Sequence, residues 1–251
     1  MRALKIELSA PTTSFRYPHF MVGRHPTYDM PPPATIYGHI CSAVGELVPP
    51  DSLRFGYHFT CAAHATDYEH LHMISPAAGR GKYTVGGVTY PKNIEATVTP
   101  TNRDFLFDAH LTLYVDRMDL KPYFELPVYP VVLGRSQDLA TYTRIAEVEL
   151  QEASAGYLEH TILPRDLRLS LSRGVVVTMP RYLDYGNGRQ PSFEQYLVLN
   201  KAEAYVYRGK MPDELGGVEA AELGGDGPLL VDPESGERHG SRRVVWLHSF
   251  L

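Results

Sequence analysis

His58, His64, His70 and His72 lie close together, with Asp67 and Glu69 between them. A zinc centre draws three or four such ligands into tetrahedral geometry. This spacing matches no metal motif, and Cys41 and Cys61 are not placed as partners, so these read as surface histidines along a strand and loop. A metal-free ribonuclease needs a base, an acid and a cation to stabilise the developing phosphorane charge. His25, Tyr37, His39 and Lys82 are of the right types, in a chain with 11 histidines and 17 tyrosines. There is no G-x-S-x-G, Walker loop, H-E-x-x-H or dinucleotide fingerprint. Gly79-Arg80-Gly81-Lys82 lacks the spacing and the following Ser/Thr of a phosphate loop.

A more specific pattern is KYTVGGVTYPK, Lys82 to Lys92. Both glycines can take positive φ, so Gly86-Gly87 predicts a two-residue hairpin turn. Folding there pairs Val85 with Val88, Thr84 with Thr89 and Tyr83 with Tyr90. One face then carries Tyr83, Val85, Val88 and Tyr90; the other carries Lys82 and the threonines. Between Pro76 and Arg103 the basic residues Arg80, Lys82, Lys92 and Arg103 face Glu95 alone. Lysine and arginine neutralise phosphates and tyrosine rings stack on unpaired bases, so such a finger suits RNA or single-stranded DNA. The blander reading is a hairpin packing its tyrosines on the core with solvated lysines outside. Arg16 in SFRYPHF and Arg24 with His25 in VGRHP add cations near a helix start, where anions are favoured. Arg135 and Ser136, in a turn after a strand, are further phosphate contacts of the same kind.

The elements that would position these residues are mostly strands. Leu4, Ile6 and Leu8 alternate with Lys5 and Glu7 in a half-buried strand over Ala3–Leu8. Three prolines precede a helix expected over Ala34–Val48, where Ile36, Ile40, Val44 and Leu47 recur at helical spacing before Pro49 and Pro50 stop it. RFGYHFTCAAHATDY and DFLFDAHLTLYVD read as strands. PVYPVVLGRSQDLATY reads as a strand running into a turn at Gly134, and RRVVWLHSFL as a last strand. One early helix among strands argues an α+β domain on a largely antiparallel sheet.

With 43% hydrophobic and 21% charged residues, the 251-residue chain has the make-up of an ordinary globular domain. No apolar run approaches a membrane span, the N-terminus lacks a signal-peptide core, and two isolated cysteines fit a reducing, cytoplasmic setting. The net charge of −5 resides in Met211–Arg243, where eight acidic residues face only Arg238, Arg242 and Arg243. Seven glycines in that segment predict an exposed, mobile loop, leaving a neutral body free to carry a basic face.

Taken together, FRYPHF, PTYDMPPPATIYGHICSAVGE and PVVLGRSQDLA resemble the Cas-five family, the CRISPR-associated Cascade subunits of the repeat-associated RNA-binding superfamily (RAMP). The signature, a first strand, an F-R-x-P segment and a T-Y-x-x-P-P run into a glycine-containing helix, occupies Leu4–Glu46, and its style resembles type I-B members. Leu133–Leu139 resembles the family's glycine-containing loop. The resemblance implies a single domain over 1–251 with a ferredoxin-like (RNA-recognition-motif-like) core, an antiparallel sheet, a β-hairpin thumb over 76–104 and a strand-rich C-terminal part. The acidic segment 211–243 would be a variable loop. The implied role is a non-catalytic subunit that holds the 5′ handle of crRNA and caps the backbone filament. It would contact the neighbouring filament subunit and the large subunit, with target DNA near the PAM. It would use no cofactor, metal or membrane. RNA contacts carried over are Arg16, Tyr28, Thr35, Arg135 and Ser136 by motif and Lys82, Tyr83, Tyr90 and Lys92 by thumb position; Arg24, Tyr37 and Arg103 complete the expected RNA-binding set from their own residue types and places. Two alternatives stand beside it. One is the processing form, which cleaves precursor crRNA without metal, with Tyr37, His25 or His39 and Lys82 as acid, base and phosphate stabiliser. The other is a protein scaffold with incidental RNA contact.

Overall fold

The alternation at the N-terminus builds the centre of the sheet. In the computed structural model, which describes residues 1–20, 23–77, 81–169, 171, 173–215, 217–224 and 227–250, β1 (Arg2–Thr13) runs beyond the Ala3–Leu8 expected. β2 (Arg24–His25) and α1 (Pro33–Val44) follow, then β3 (Phe55–Pro76), β4 (Lys82–Val85), β5 (Val88–Pro91) and β6 (Ile94–Val115). A short helix α2 (Lys121–Glu125) leads to β7 (Thr141–Glu149). β6 lies antiparallel to β1 from Leu4↔Val115 to Thr13↔Leu106, and β7 takes the other edge of β1. β3 pairs with the far edge of β6, giving the order β3–β6–β1–β7; β2 joins β6 in parallel at Arg24↔Asn102 and His25↔Arg103. The fold is α+β.

Inward-facing Leu4, Ile6, Leu8, Phe55, Phe59, Leu111 and Leu113 pack against Ile36 and Ile40 of α1 and Phe124 of α2. The helix stops earlier than Val48. Gly45 adopts φ +87° and its N–H closes on the Cys41 carbonyl, a left-handed C-cap that ends the helix before the prolines. Val128–Leu133 forms no strand; only a Val132↔Leu139 bridge closes that loop. With Pro127 and Pro130 in the run, donors that a ladder requires are missing.

The C-terminal part adds β8 (Gln151–Ala153), β9 (Ala155–Leu158), β10 (Ile162–Pro164), β11 (Val175–Asp184), β12 (Gln190–Val198), β13 (Ala204–Tyr207), β14 (Ala220–Glu222) and β15 (Leu229–Val231). They form the small sheets β10–β12–β11, β14–β13–β9 and β15–β8. RRVVWLHSFL is not a strand. Arg243, Val244 and His248 make isolated bridges to Tyr157, Val231 and Phe55, so this stretch stitches several elements instead of extending one.

The acidic segment also departs from the open loop expected. Asp232 is completely buried on the back of the sheet, where Lys5 donates to it at 2.8 Å and the Tyr114 hydroxyl at 2.6 Å. Glu234 receives Lys5 and Arg144, and Arg243 lies 3.5 Å from Asp232. Lys5, expected to face solvent, is therefore an internal cation held by acidic partners. Asp226 lies outside the described residues, as do the side chain of Glu214 and, at the thumb, Arg80.

Candidate nucleic-acid interface

Two places collect the residues singled out from sequence. The first is the entry to α1. Pro31, Pro32 and Pro33 are buried; the Tyr57 hydroxyl donates to the Pro31 carbonyl, and Thr35 and Ile36 donate backbone N–H groups to that of Pro32. Proline at the first helical position is favoured by its fixed φ and missing donor. Opposite this entry the loop at Gly134 packs on the end of β1. Thr13 Oγ1 donates to the Leu133 carbonyl at 2.6 Å, and Gly134 holds φ +94°. Asp138 shapes the loop from inside, accepting from Thr12 Oγ1, the Arg135 backbone N–H and the Arg135 guanidinium.

Arg16, Thr35, Arg103 and Arg135 converge around one open recess of about 320 Å³, with Pro180 of β11 on the far wall. Their electrostatic states differ. Arg103 and Arg135 both reach Glu69, at 2.7 and 3.3 Å. Burial works to raise the Glu69 pKa, but the two arginines outweigh it and hold the carboxyl below its usual range. The bonds from Asp138 and Glu69 raise the pKa of Arg135. Arg16 is exposed, and among the described residues it makes no ion pair. It is the recess cation open to an incoming anion, while Arg103, mostly buried, and Arg135 brace the wall in ion pairs with Glu69 and Asp138. Ser136 is exposed at the loop's rim.

The second place is a projecting arm. β3 and β6 stay paired from Phe55↔Val115 to Pro76↔Ile94, and the β4–β5 hairpin caps them. The thumb expected over 76–104 is thus the outer part of a longer ribbon, whose residues are exposed from about Ala62 on β3. Gly86 and Gly87 take φ +59° and +82°, and the register Val85↔Val88, Thr84↔Thr89 and Tyr83↔Tyr90 is the one read from sequence. The Tyr83 and Tyr90 rings stack on each other at 5.5 Å with their outer faces exposed. Lys82 and Lys92 are exposed and make no ion pair among the described residues. From the Asp67↔Arg103 pair to the Pro76↔Ile94 pair the ribbon spans roughly 30 Å at strand rise, so arm tip and recess are separate contact points.

Two of the expected contacts are corrected. Tyr28 and Tyr37 are 1% and 2% exposed. The Tyr28 hydroxyl donates to the Thr178 carbonyl and its ring stacks on Tyr17; burial, with Tyr17 beside it, pushes its pKa up to about 12. Tyr37 donates to the Val48 carbonyl, and burial raises its pKa strongly. Both are core residues, since a tyrosine beside a helix entry that packs on strands is drawn inward by its ring area. Arg24 is tied to Asp104 at 2.8 Å, at the root of the arm.

The acid–base candidates are not brought together. His25 is buried in β2 and neither ring nitrogen is hydrogen-bonded among the described residues, and His39 is held by the Val132 carbonyl and the Tyr142 hydroxyl. Burial lowers the His39 pKa. Lys82 sits at the arm tip. Of the clustered histidines, His58 faces Glu159, His64 lies between Cys61 and Asp29, and the His70 and His72 rings are 6.5 Å apart. Among the described residues no three His, Cys, Asp or Glu side chains converge on a metal position. Sequence reasoning missed Glu69, Asp138 and Pro180. The Arg-x-x-Asp spacing of Arg135 and Asp138 carried a signal for a closed turn; Glu69 and Pro180 come from distant strands and carried none.

The chain is a strand-rich α+β protein with an arginine-lined recess at a helix entry and a two-stranded arm that exposes lysines and tyrosines at its tip. The family model described as "CRISPR-associated protein (Cas_Cas5)" matches residues 3–196, and the chain belongs to that family. A chain of a "CRISPR RNA-guided surveillance complex" is similar at 20% identity, covering 78% of this chain and 88% of that one with a TM-score of 0.47. A CRISPR protein from Archaeoglobus fulgidus is similar at 9% identity over 99% of this chain and all of that one, with a TM-score of 0.44. A chain of the Type III-B Cmr-beta complex bound to cognate target RNA and AMPPnP has 10% identity, 81% and 85% coverage and a TM-score of 0.42. None of the curated proteins matches this chain. No helix among the described residues is long and apolar enough to cross a membrane.

Proposed function

We propose that this chain is the handle-holding subunit of a type I CRISPR surveillance complex, non-catalytic and cytoplasmic, that binds the 5′ handle of crRNA and caps the backbone filament. The observation that carries the reading is the open recess at the α1 entry, where Arg16 stands without an ion pair among the described residues beside Arg103 and Arg135. Arg16, Thr35, Arg135 and Ser136 grip the handle's phosphates there. Lys82 and Lys92 take backbone phosphates at the arm tip, and Tyr83 and Tyr90 stack on unpaired bases. The arm's exposed apolar side chains, including Met73, Ile74 and Ile94, suit contact with the filament neighbour, and the large subunit and the PAM-proximal duplex lie beside the cap. The order β-α-β-β-α-β with strands β3–β6–β1–β7 supports a ferredoxin-like core. The style of the N-terminal motif favours type I-B.

The test is binding of the purified chain to its cognate repeat RNA in excess EDTA, read as affinity against salt and on a denaturing gel. Arg16→Ala is expected to weaken binding about tenfold with the fold intact by circular dichroism. Each phosphate contact on a single strand contributes about 0.7 to the salt slope, so Lys82→Ala with Lys92→Ala flattens it by about 1.4. An unchanged slope returns the arm to a structural role, and affinity indifferent to salt favours the scaffold reading. A discrete cut that releases a 5′ handle makes the chain the processing enzyme instead.

A further inference from the structure

Alongside the recess runs a second cleft of about 410 Å³, which shares Thr35, Gly134 and Pro180 with it. Ala34, Gly38 and Ser42 of α1 line it, together with Pro180 and Leu183 of β11. Gly38 is the unexplained residue. Glycine is worse in a helix interior than any residue but proline. Here φ is not positive, and among the described residues, its two chain neighbours and the helix's own backbone aside, no heavy atom lies within 4 Å of where a Cβ would stand. Neither a special conformation nor a close neighbour within this chain accounts for a bare backbone at that position. What lies over it is the cleft.

We infer that this cleft is a slot for one unstacked nucleobase, whose 5′ or 3′ phosphate is held by Arg16 in the adjoining recess. This assignment rests on the RNA-binding reading above. The small helix face and the Pro180–Leu183 wall offer two apolar surfaces for the base faces, and an alanine or larger side chain at position 38 would narrow the gap between them. Thr35 Oγ1 and Ser42 Oγ, one at each end of Gly38, make no hydrogen bond among the described residues and can donate to or accept from a base edge. His39 is spoken for on both ring nitrogens, so the hydroxyls carry the polar recognition. Continuity with a cationic recess selects a nucleotide over an apolar peptide side chain, because one nucleotide places an anion and a flat ring at adjoining positions.

Gly38→Leu fills the slot, and Gly38→Ala is the conservative control. Both improve helix propensity, and the added Cβ of Gly38→Ala meets no described neighbour, so Gly38→Ala is expected to melt no lower than the wild type. With repeat-derived RNA carrying one abasic position at a time, one position is expected to cost the wild type about tenfold in affinity, as lost base stacking does. Gly38→Leu should lose about tenfold on intact RNA and show no further loss at that same position. If the wild type binds RNA, Arg16→Ala weakens it, and Gly38→Leu binds as tightly as wild type with no abasic position standing out, the slot is overturned while the RNA reading survives. If Gly38→Leu binds RNA normally but no longer co-assembles with its partner subunits, a protein side chain owns the cleft and the inference fails. If the wild type binds no RNA, both fall. Should Gly38→Leu fold poorly, Gly38→Ala takes its place in the same abasic series, because its methyl also narrows the gap.

Discussion

Asp232→Ala is expected to destabilise the protein by about 3–5 kcal/mol, the cost of removing one partner from a buried ion pair. Lys5 and Asp232 are 5% and 0% exposed in their side chains and 2.8 Å apart. The substitution strands the Lys5 ammonium with only Glu234, at 3.0 Å, and leaves the Tyr114 hydroxyl without its acceptor. Urea unfolding monitored at two wavelengths measures the loss. A change below about 1 kcal/mol would mean that water reaches the cluster and replaces the carboxylate. Replacing both partners at once, Lys5→Met with Asp232→Leu, should cost much less than Asp232→Ala alone, because no charge is then left buried. Acid has the same target. Burial acts to raise the Asp232 pKa, but Lys5 and Tyr114 outweigh it, and Arg144 and Lys5 bring Glu234 down to about 2. A carboxylate with a depressed folded pKa contributes stability above its unfolded pKa of roughly 4 and loses it as pH falls through the folded value. Stability should therefore decline between about pH 4 and pH 2, and Asp232→Ala should flatten that decline.

Gly134→Ala is expected to cost about 2–4 kcal/mol and to weaken repeat-RNA binding as the loop shifts. Two effects combine. At φ +94° an L side chain is strained, and an added Cβ would stand 2.6 Å from Thr13 Oγ1 and 2.7 Å from the Ser14 carbonyl oxygen. The backbone of β1 cannot give way without disturbing the sheet, so the loop must move, and Arg135 moves with it. Gly86→Ala in the arm turn is the matched control. It also sits at positive φ but meets nothing within 4 Å, so only the conformational cost of about 1–2 kcal/mol applies. Equal losses for the two variants would show that packing against Thr13 and Ser14 contributes nothing.

Local signals in the sequence were sufficient wherever the structure is local. The hairpin at Gly86-Gly87 follows from backbone freedom at two adjacent residues, and the register of Tyr83 with Tyr90 follows from the turn. The start of α1 follows from three prolines and a helical period. Arg16, Thr35 and Arg135 were found because each sits in a short motif, and the recess joins them. What could not be read is set by pairing across the chain. Nothing near Arg103 marks it as the partner of Glu69. Tyr28 and Tyr37 were named as contacts because tyrosine serves both bases and cores, and only the strands above them decide between the two. The acidic segment misled for the same reason: composition describes an average, whereas Asp232 answers to one lysine at the other end of the chain. Pro180 reaches the recess from a strand in the C-terminal part that no motif linked to α1.

That pairing across the chain has a consequence for birth at the ribosome. Lys5 emerges among the first residues, and the carboxylate that neutralises it follows 227 positions later. At about 5–20 residues per second, the interval is about 10–50 s. Through that time the back of the first strand holds a cation without its carboxylates, because Asp232 and Glu234 both lie past position 196, where the family match ends. The sheet can begin to assemble on its α1 face during synthesis, but its closing step waits for the tail. Truncation between residue 196 and Asp232 should therefore leave a chain that has its recess and arm in outline and lacks the carboxylates that close the back of the sheet.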